Sequence, residues 1–156
     1  MDKRIIVVSD SHGNHQILKE ILLCHPHADL YLHLGDSEES LQNIYPFISV
    51  KGNNDYLIEE ETKIVTIDDL KIYMTHGHKM HLSKENMVAR ANLHQCNAFF
   101  YGHTHVPFYE YYKGIYLLNP GSLAYPRSSY GKTYAIIDLM QDRTVNVEIK
   151  SLEKNY

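Results

Sequence analysis

Five short apolar segments of the sequence each end in a cluster of polar residues, and this pattern constrains the fold more than any other feature. The first segment, Arg4–Ser9, is a β-branched run typical of a buried strand. In open α/β sheets, the residues that follow the carboxyl ends of the strands lie at one edge of the sheet. We therefore expect the five clusters to converge on one site. In chain order they are Asp10-Ser11-His12, Gly35-Asp36, Gly52-Asn53-Asn54-Asp55, His76-Gly77-His78 and Gly102-His103-Thr104-His105.

The order of the predicted elements indicates an α/β sandwich with a mixed sheet and an antiparallel, tyrosine-rich end. The chain opens as strand, helix, strand, short helix and strand, which favours parallel pairing. These elements are Arg4–Ser9, a helix capped by Asn14, Leu30–Leu34, Leu41–Tyr45 and Phe47–Val50. The later part is typical of hairpins, with one helix capped by Ser83. Its strands are Lys63–Ile67, Leu70–Thr75, Ala98–Tyr101, Phe108–Lys113, Ile115–Leu118, Thr133–Leu139 and Thr144–Ile149.

Length and composition exclude several classes of protein. A chain of 156 residues fits one domain, residues 1–156. Cys24 and Cys96 are the two cysteines, so we expect no disulfide framework and a cytoplasmic location. No apolar run approaches the roughly 18 residues of a membrane helix. The formal net charge of −4 disfavours a nucleic acid as partner.

The polar clusters carry the ligand types of a divalent metal site. Aspartate, asparagine and neutral imidazole together suit ions such as Mn²⁺, Fe²⁺, Ni²⁺ or Zn²⁺. The candidates outnumber what one ion needs, so the sequence favours two ions that share a carboxylate. The candidate ligands are Asp10, His12, Asp36, Asn53, His76, His103 and His105.

The ordered set D-x-H, G-D, G-N-x-D, H-G-H and G-H-T-H resembles the calcineurin-like metallophosphoesterases. The short length and the stretch Asn119-Pro-Gly-Ser122 resemble the small prokaryotic phosphodiesterase branch of that family. The resemblance implies two mixed β-sheets packed as a sandwich flanked by helices, with a βαβ opening. It also implies hydrolysis of a small phosphodiester by a metal-bridging hydroxide. Manganese is the expected activator, with Ni²⁺, Fe²⁺, Zn²⁺ or Mg²⁺ as alternatives, and a homo-oligomer is the expected assembly.

The same resemblance assigns the ligands to two ions. Asp10, His12 and His105 would hold one ion. Asn53, His76 and His103 would hold the other. Asp36 would bridge the two ions.

One position departs from the family pattern. Many members have a histidine where this chain has Asn54, and that histidine is thought to protonate the leaving group. Asn54 cannot act as an acid, although it could hydrogen-bond a phosphate oxygen. Asp55 and His78 are the nearest candidates for orienting or protonating roles. Arg127 is either a phosphate clamp or a surface arginine.

Two other functions remain open from the sequence. A phosphomonoesterase would use the same ligands. A protein-binding scaffold of the same fold, like the retromer subunit that looks catalytically degraded, would be expected to have eroded metal positions. Turnover, rather than metal content, separates the scaffold from the enzyme.

Overall fold

The computed structural model describes residues 2–127 and 131–152. These residues form ten strands and two helices. The strands are β1 (Lys3–Val8), β2 (Leu30–His33), β3 (Ile48–Ser49), β4 (Thr62–Ile67), β5 (Leu70–Thr75), β6 (Ala98–Phe100), β7 (Phe108–Tyr112), β8 (Ile115–Asn119), β9 (Thr133–Leu139) and β10 (Val145–Ser151). The helices are α1 (His15–Cys24) and α2 (Lys84–Leu93). Neither helix is long and apolar enough to cross a membrane.

The first sheet has the order β10-β9-β1-β2-β3. β1, β2 and β3 are parallel, as the predicted βαβ opening requires. β9 and β10 form a hairpin that pairs antiparallel with β1, so the sheet is mixed.

The second sheet has the order β4-β5-β6-β8-β7. β5, β6 and β8 are parallel, while the hairpins β4–β5 and β7–β8 add antiparallel edges. The prediction of two mixed sheets in an α/β fold is confirmed.

Alternation along the strands builds three apolar layers. Ile5 and Val7 of β1 face the second sheet, where they share a core with Ile72 and Phe100. The next residues along β1, Ile6 and Val8, face the opposite way and pack with Ile17, Leu18 and Ile21 of α1. Helix α2 covers the outer face of the second sheet with Met87, Val88 and Ala91. The helices therefore flank the sandwich, and their predicted caps Asn14 and Ser83 accept hydrogen bonds from Ile17 N and Asn86 N.

The prediction of a short helix at Leu41–Tyr45 is wrong, because this segment forms turns. Its backbone amides bond three residues back, as Phe47 N does to Ile44 O at 2.8 Å. Pro46 explains the difference, since a proline disfavours the helical region for the residue before it.

Candidate metal centre

The carboxylate of Asp10 lies at the centre of the converging clusters. Asp10 follows β1 and is fully buried. Its Oδ2 accepts hydrogen bonds from Ser9 Oγ at 2.6 Å and from His103 N at 3.2 Å. No residue that the structure describes donates a hydrogen bond to its Oδ1. Around Oδ1 lie the Nε2 atoms of three histidines, His105 at 3.2 Å, His76 at 3.7 Å and His12 at 3.8 Å.

Backbone carbonyls fix two of these imidazoles. His76 Nδ1 lies 2.7 Å from Leu34 O, and His105 Nδ1 lies 2.7 Å from Tyr125 O. A carbonyl only accepts, so each Nδ1 donates and the Nε2 of the neutral ring carries a free lone pair. This arrangement is typical of metal-binding histidines, whose other nitrogen is held by a hydrogen-bond partner.

The third imidazole, that of His12, is held by a carboxylate. His12 Nδ1 lies 2.9 Å from Glu38 Oε2, and its buried Nε2 has no hydrogen-bond partner within residues 2–127 and 131–152. The Nε2 also lies 4.0 Å from Asp36 Oδ2. His12 therefore faces both predicted carboxylate ligands.

Asp36 is the second buried carboxylate of the site. Its Oδ1 accepts a hydrogen bond from Asn54 N at 2.8 Å, and its Oδ2 accepts one from Asn54 Nδ2 at 3.1 Å. Its Oδ2 also lies 3.3 Å from His76 Nε2. Burial raises the pKa of Asp36, but the close contact with His76 and the two hydrogen bonds from Asn54 outweigh burial, and the net pKa is lowered. Asp36 is therefore ionised at neutral pH.

Two groups of ligand atoms are close enough to hold an ion each. One consists of Asp10, His12 and His105, and the other of Asp10, Asp36 and His76. Within each group the ligand atoms lie within 4.8 Å of one another. Three of these atoms are buried and have no hydrogen-bond partner in the described part of the chain: Asp10 Oδ1, His12 Nε2 and His76 Nε2. Such atoms cost about 1–3 kcal/mol each unless a partner binds them, and a divalent ion would be that partner, so the residues fit the metals that the sequence predicts.

The proton competes with a metal for two of these histidines. Burial lowers the pKa of His76, but the close contact with Asp36 and the charges of Asp10 and Asp36 raise it above its usual value. The close contact with Asp10 raises the pKa of His105. Both shifts arise because the carboxylates attract a cation, which is the property that a metal site needs.

The backbone at the site adopts a conformation that few side-chain-bearing residues adopt. A positive φ at a non-glycine residue is uncommon, and about 1–3 kcal/mol of strain accompanies such a position. Backbone hydrogen bonds such as Asp10 N to Gly35 O, 3.0 Å, support these turns. Among the predicted ligands, positive φ values occur at Asp10 (55°), His12 (46°), Asp36 (61°), His103 (68°) and His105 (63°).

Two positions in the motifs require glycine, because side chains of neighbouring loops lie too close for a Cβ atom. A Cβ on Gly102 would lie 2.1 Å from Ser9 Oγ and 2.9 Å from Asp10 Oδ2. A Cβ on Gly52 would lie 2.2 Å from Asp36 Oδ1. The glycines let neighbouring loops approach the two carboxylates.

The remaining predicted ligands, Asn53 and His103, are exposed. The ring of His103 lies 5.3 Å from that of His76, between centroids. Asn53 follows Gly52 at the end of the β3 loop. Their assignment as ligands stays a prediction.

Asp55 connects the loops that carry the site. It is buried, and its Oδ2 accepts hydrogen bonds from Asp36 N at 2.8 Å and Gly52 N at 2.7 Å. Its Oδ1 accepts one from Glu38 N at 2.7 Å. With both oxygens bound to amides, the geometry favours the orienting one of its two predicted roles.

His78 lies beside the second group of ligands. Its ring centroid is 5.4 Å from that of His76 and 6.2 Å from that of His103. Its buried Nδ1 has no hydrogen-bond partner in the part of the chain that the structure describes. Burial and the neighbouring histidines lower its pKa. His78 is thus mostly neutral at pH 7.

Arg127 is exposed, and its backbone N donates to His105 O at 3.1 Å. Sequence reasoning missed Glu38 and Tyr125, which hold the Nδ1 atoms of His12 and His105. No motif indicates either residue, because Tyr125 acts through its backbone carbonyl and Glu38 lies two residues beyond Asp36.

Comparisons with known proteins identify the family of the chain. Residues 4–142 match the calcineurin-like phosphoesterase superfamily domain. A probable metallophosphoesterase of Bacillus subtilis, YsnB, is 34% identical over 145 residues, which cover 88% of this chain and 85% of the relative. The phosphodiesterase MJ0936 of Methanocaldococcus jannaschii is 30% identical over 145 residues, covering 76% of this chain and 82% of the relative.

A solved structure of a protein with a different name has the same fold. Vacuolar protein sorting 29 from Cryptosporidium parvum superposes with a TM-score of 0.75 over 98% of this chain and 99% of that chain. At 16% sequence identity, this likeness shows the fold alone. The family match over residues 4–142 and the 34% identity to YsnB show more than the fold. They show that the chain belongs to the calcineurin-like phosphoesterase superfamily.

Proposed function

We propose that this chain is a two-metal phosphodiesterase that hydrolyses a small phosphodiester. The observation that carries the proposal is the pair of ligand groups that share Asp10, with three buried ligand atoms that have no hydrogen-bond partner among the described residues. A protein that bound no cation would leave these atoms desolvated and uncompensated.

Each ligand has a defined role in this proposal. Asp10, His12 and His105 would hold one ion. Asp36 and His76 would hold the second ion, with Asn53 and His103 as its further ligands. Asp10 belongs to both groups of ligand atoms, and Asp36, whose Oδ2 lies 4.0 Å from His12 Nε2 and 3.3 Å from His76 Nε2, would be the bridging carboxylate. Manganese is the proposed metal.

When bound, a pair of divalent ions would supply positive charge for the phosphoryl oxygens and a water whose pKa is lowered to about 7. The protein contributes two carboxylates, so about +4 from the ions against −2 leaves a net positive site for an anionic phosphodiester.

Asn54 positions Asp36 through its backbone N–H and its side-chain amide. An amide nitrogen has two hydrogens, and only one is used in the bond to Asp36 Oδ2. The second is available to a phosphate oxygen. Since Asn54 cannot donate a proton, the site favours leaving groups that depart without one, unless His78 supplies it.

The diester is preferred over a monoester because the relative MJ0936 is named a phosphodiesterase. The fold shared with vacuolar protein sorting 29 keeps a scaffold as the second candidate. The intact set of buried ligands favours the enzyme, because partner binding alone does not require it.

Turnover tests the proposal. We expect manganese-dependent hydrolysis of bis(p-nitrophenyl) phosphate, and slower hydrolysis of p-nitrophenyl phosphate. Asp36→Asn should lower kcat/KM for the diester at least about 100-fold. Asp68→Asn is the matched control, since Asp68 pairs with Lys3 on the surface.

Each contrary outcome has a distinct meaning. Hydrolysis of the monoester alone would reassign the chain as a phosphomonoesterase. A folded protein that hydrolyses neither ester with Mn²⁺, Ni²⁺, Fe²⁺, Zn²⁺ or Mg²⁺ would overturn the enzyme and leave the scaffold.

A further inference from the structure

The loop after β8 is fixed to the metal centre by its backbone. Ser122 Oγ donates to Asp10 O at 3.0 Å and accepts from Tyr125 N at 2.9 Å. Tyr125 O accepts from His105 Nδ1 at 2.7 Å. The residue that follows Pro126, Arg127, donates its N–H to His105 O at 3.1 Å. The position of Tyr125 is therefore set on both sides by residues of the D-x-H and G-H-T-H motifs.

The side chain of Tyr125 is not used by these contacts. Its ring centroid lies 5.0 Å from that of His12, with the planes at 49°. The residue is nevertheless 62% exposed. An exposed tyrosine is ordinary by itself, but this one stands directly beside a metal-ligating imidazole.

We propose that Tyr125 is a specificity-determining residue on which an aromatic substituent of the phosphodiester, such as a nucleobase, stacks. The inference rests on the proposed function, because the phosphoryl group must sit at the metal centre for its substituent to reach Tyr125. Stacking suits a ring that is presented by a fixed backbone, since little conformational entropy is lost on binding. The negative net charge restricts the ligand to a small nucleotide or aryl ester rather than a long nucleic acid.

Equilibrium binding to the manganese-loaded protein tests this inference. The probes are adenosine 5′-monophosphate and ribose 5-phosphate. Both have a ribose and a phosphate, but only the nucleotide has a base. By calorimetry, we expect the wild type to bind the nucleotide about tenfold more tightly or better, in line with base–aromatic stacking. Tyr125→Phe should keep this preference, and Tyr125→Leu should reduce the ratio of affinities to about one.

Tyr111→Leu is the matched control. Tyr111 is 57% exposed and packs on Tyr116 in the β7–β8 hairpin, so this substitution should leave the ratio unchanged. Because Tyr125 is held through backbone atoms, Tyr125→Leu should also keep the wild-type circular dichroism spectrum.

The outcomes separate this inference from the proposed function. Equal affinity of the wild type for both probes, or a preference that survives in Tyr125→Leu, would overturn the stacking role while diester turnover continues. Absence of both diester turnover and probe binding in the wild type would overturn the two proposals together.

Discussion

Asn54 donates two hydrogen bonds to Asp36, one from its backbone N–H and one from its side-chain amide. The residue that departs from the family pattern therefore holds one of the two carboxylates at the metal centre. The substitution of an acid by an amide has a structural consequence as well as a catalytic one. Asn54 can orient Asp36, but it cannot protonate a leaving group.

Removing the Asn54 side chain should weaken metal binding. Asn54→Ala deletes the hydrogen bond to Asp36 Oδ2 and keeps the backbone hydrogen bond. We therefore expect Mn²⁺ affinity to fall about 10-fold, which is the smaller end of the loss seen when a hydrogen-bond partner of a metal ligand is removed. Asn54→Ser should fall between wild type and Ala. Isothermal titration with Mn²⁺ measures both, and an unchanged affinity in Asn54→Ala would contradict the positioning role.

The absence of an acid at position 54 should show in the leaving-group dependence. We expect kcat/KM of the wild type to fall steeply as the pKa of the leaving phenol rises across a series of aryl diesters. Asn54→His should make this dependence shallower, because general acid catalysis contributes typically 10²–10⁴-fold for poor leaving groups. A wild-type rate that does not vary with leaving-group pKa would show that another residue already acts as the acid.

Manganese affinity should fall at low pH. Burial lowers the pKa of His76, but the interactions with Asp36 and Asp10 outweigh burial and raise it. The interaction with Asp10 raises the pKa of His105. Protons and metal therefore compete for these Nε2 atoms already above pH 6.5, and a metal site must be deprotonated to bind. We expect Mn²⁺ to bind about tenfold more weakly or worse at pH 6 than at pH 8. An affinity that is constant over this range would contradict the ligand role of these histidines.

His33 should make the fold sensitive to acid. It is fully buried, its Nδ1 lies 3.1 Å from Gly35 N and its Nε2 lies 2.9 Å from Ser11 Oγ. Burial lowers its pKa to about 4. Its neutral form stabilises the fold above the unfolded pKa of about 6.5, and this contribution is lost as the pH falls toward 4.

The size of this effect follows from the shift. Between pH 7 and pH 4, His33 should account for about 3 kcal/mol of lost free energy of unfolding. His33→Gln keeps a polar group at the position but removes the titration. Urea unfolding of both proteins at the two pH values measures the difference. Equal pH-dependent losses in wild type and His33→Gln would contradict the assignment.

Gly102→Ala should disrupt the site by steric contact. The new Cβ would lie 2.1 Å from Ser9 Oγ, so we expect a loss of about 1–3 kcal/mol of stability and displacement of Asp10. Ser9→Gly in the same chain removes the clashing hydroxyl and should recover part of the stability. A Gly102→Ala protein with wild-type stability and Mn²⁺ affinity would refute the close approach.

The sequence predicted the convergence of the site because strand ends and polar clusters coincide. Asp10 follows β1 and His76 follows β5, and both lie where the strand pattern predicts. It could not predict the partners of the imidazole Nδ1 atoms, since Leu34 and Tyr125 supply backbone carbonyls that any residue carries. The sequence also predicts a short helix at Leu41–Tyr45, where the structure has turns, because Pro46 disfavours the helical conformation of Tyr45.

Metal stoichiometry tests the central claim most directly. Equilibrium dialysis against Mn²⁺, followed by elemental analysis, should give two ions per chain in the wild type. His12→Ala and His76→Ala should each bind one ion, because each histidine belongs to only one of the two ligand groups. A folded wild-type protein that binds at most one ion, or single variants that both retain two, would contradict the two-metal centre.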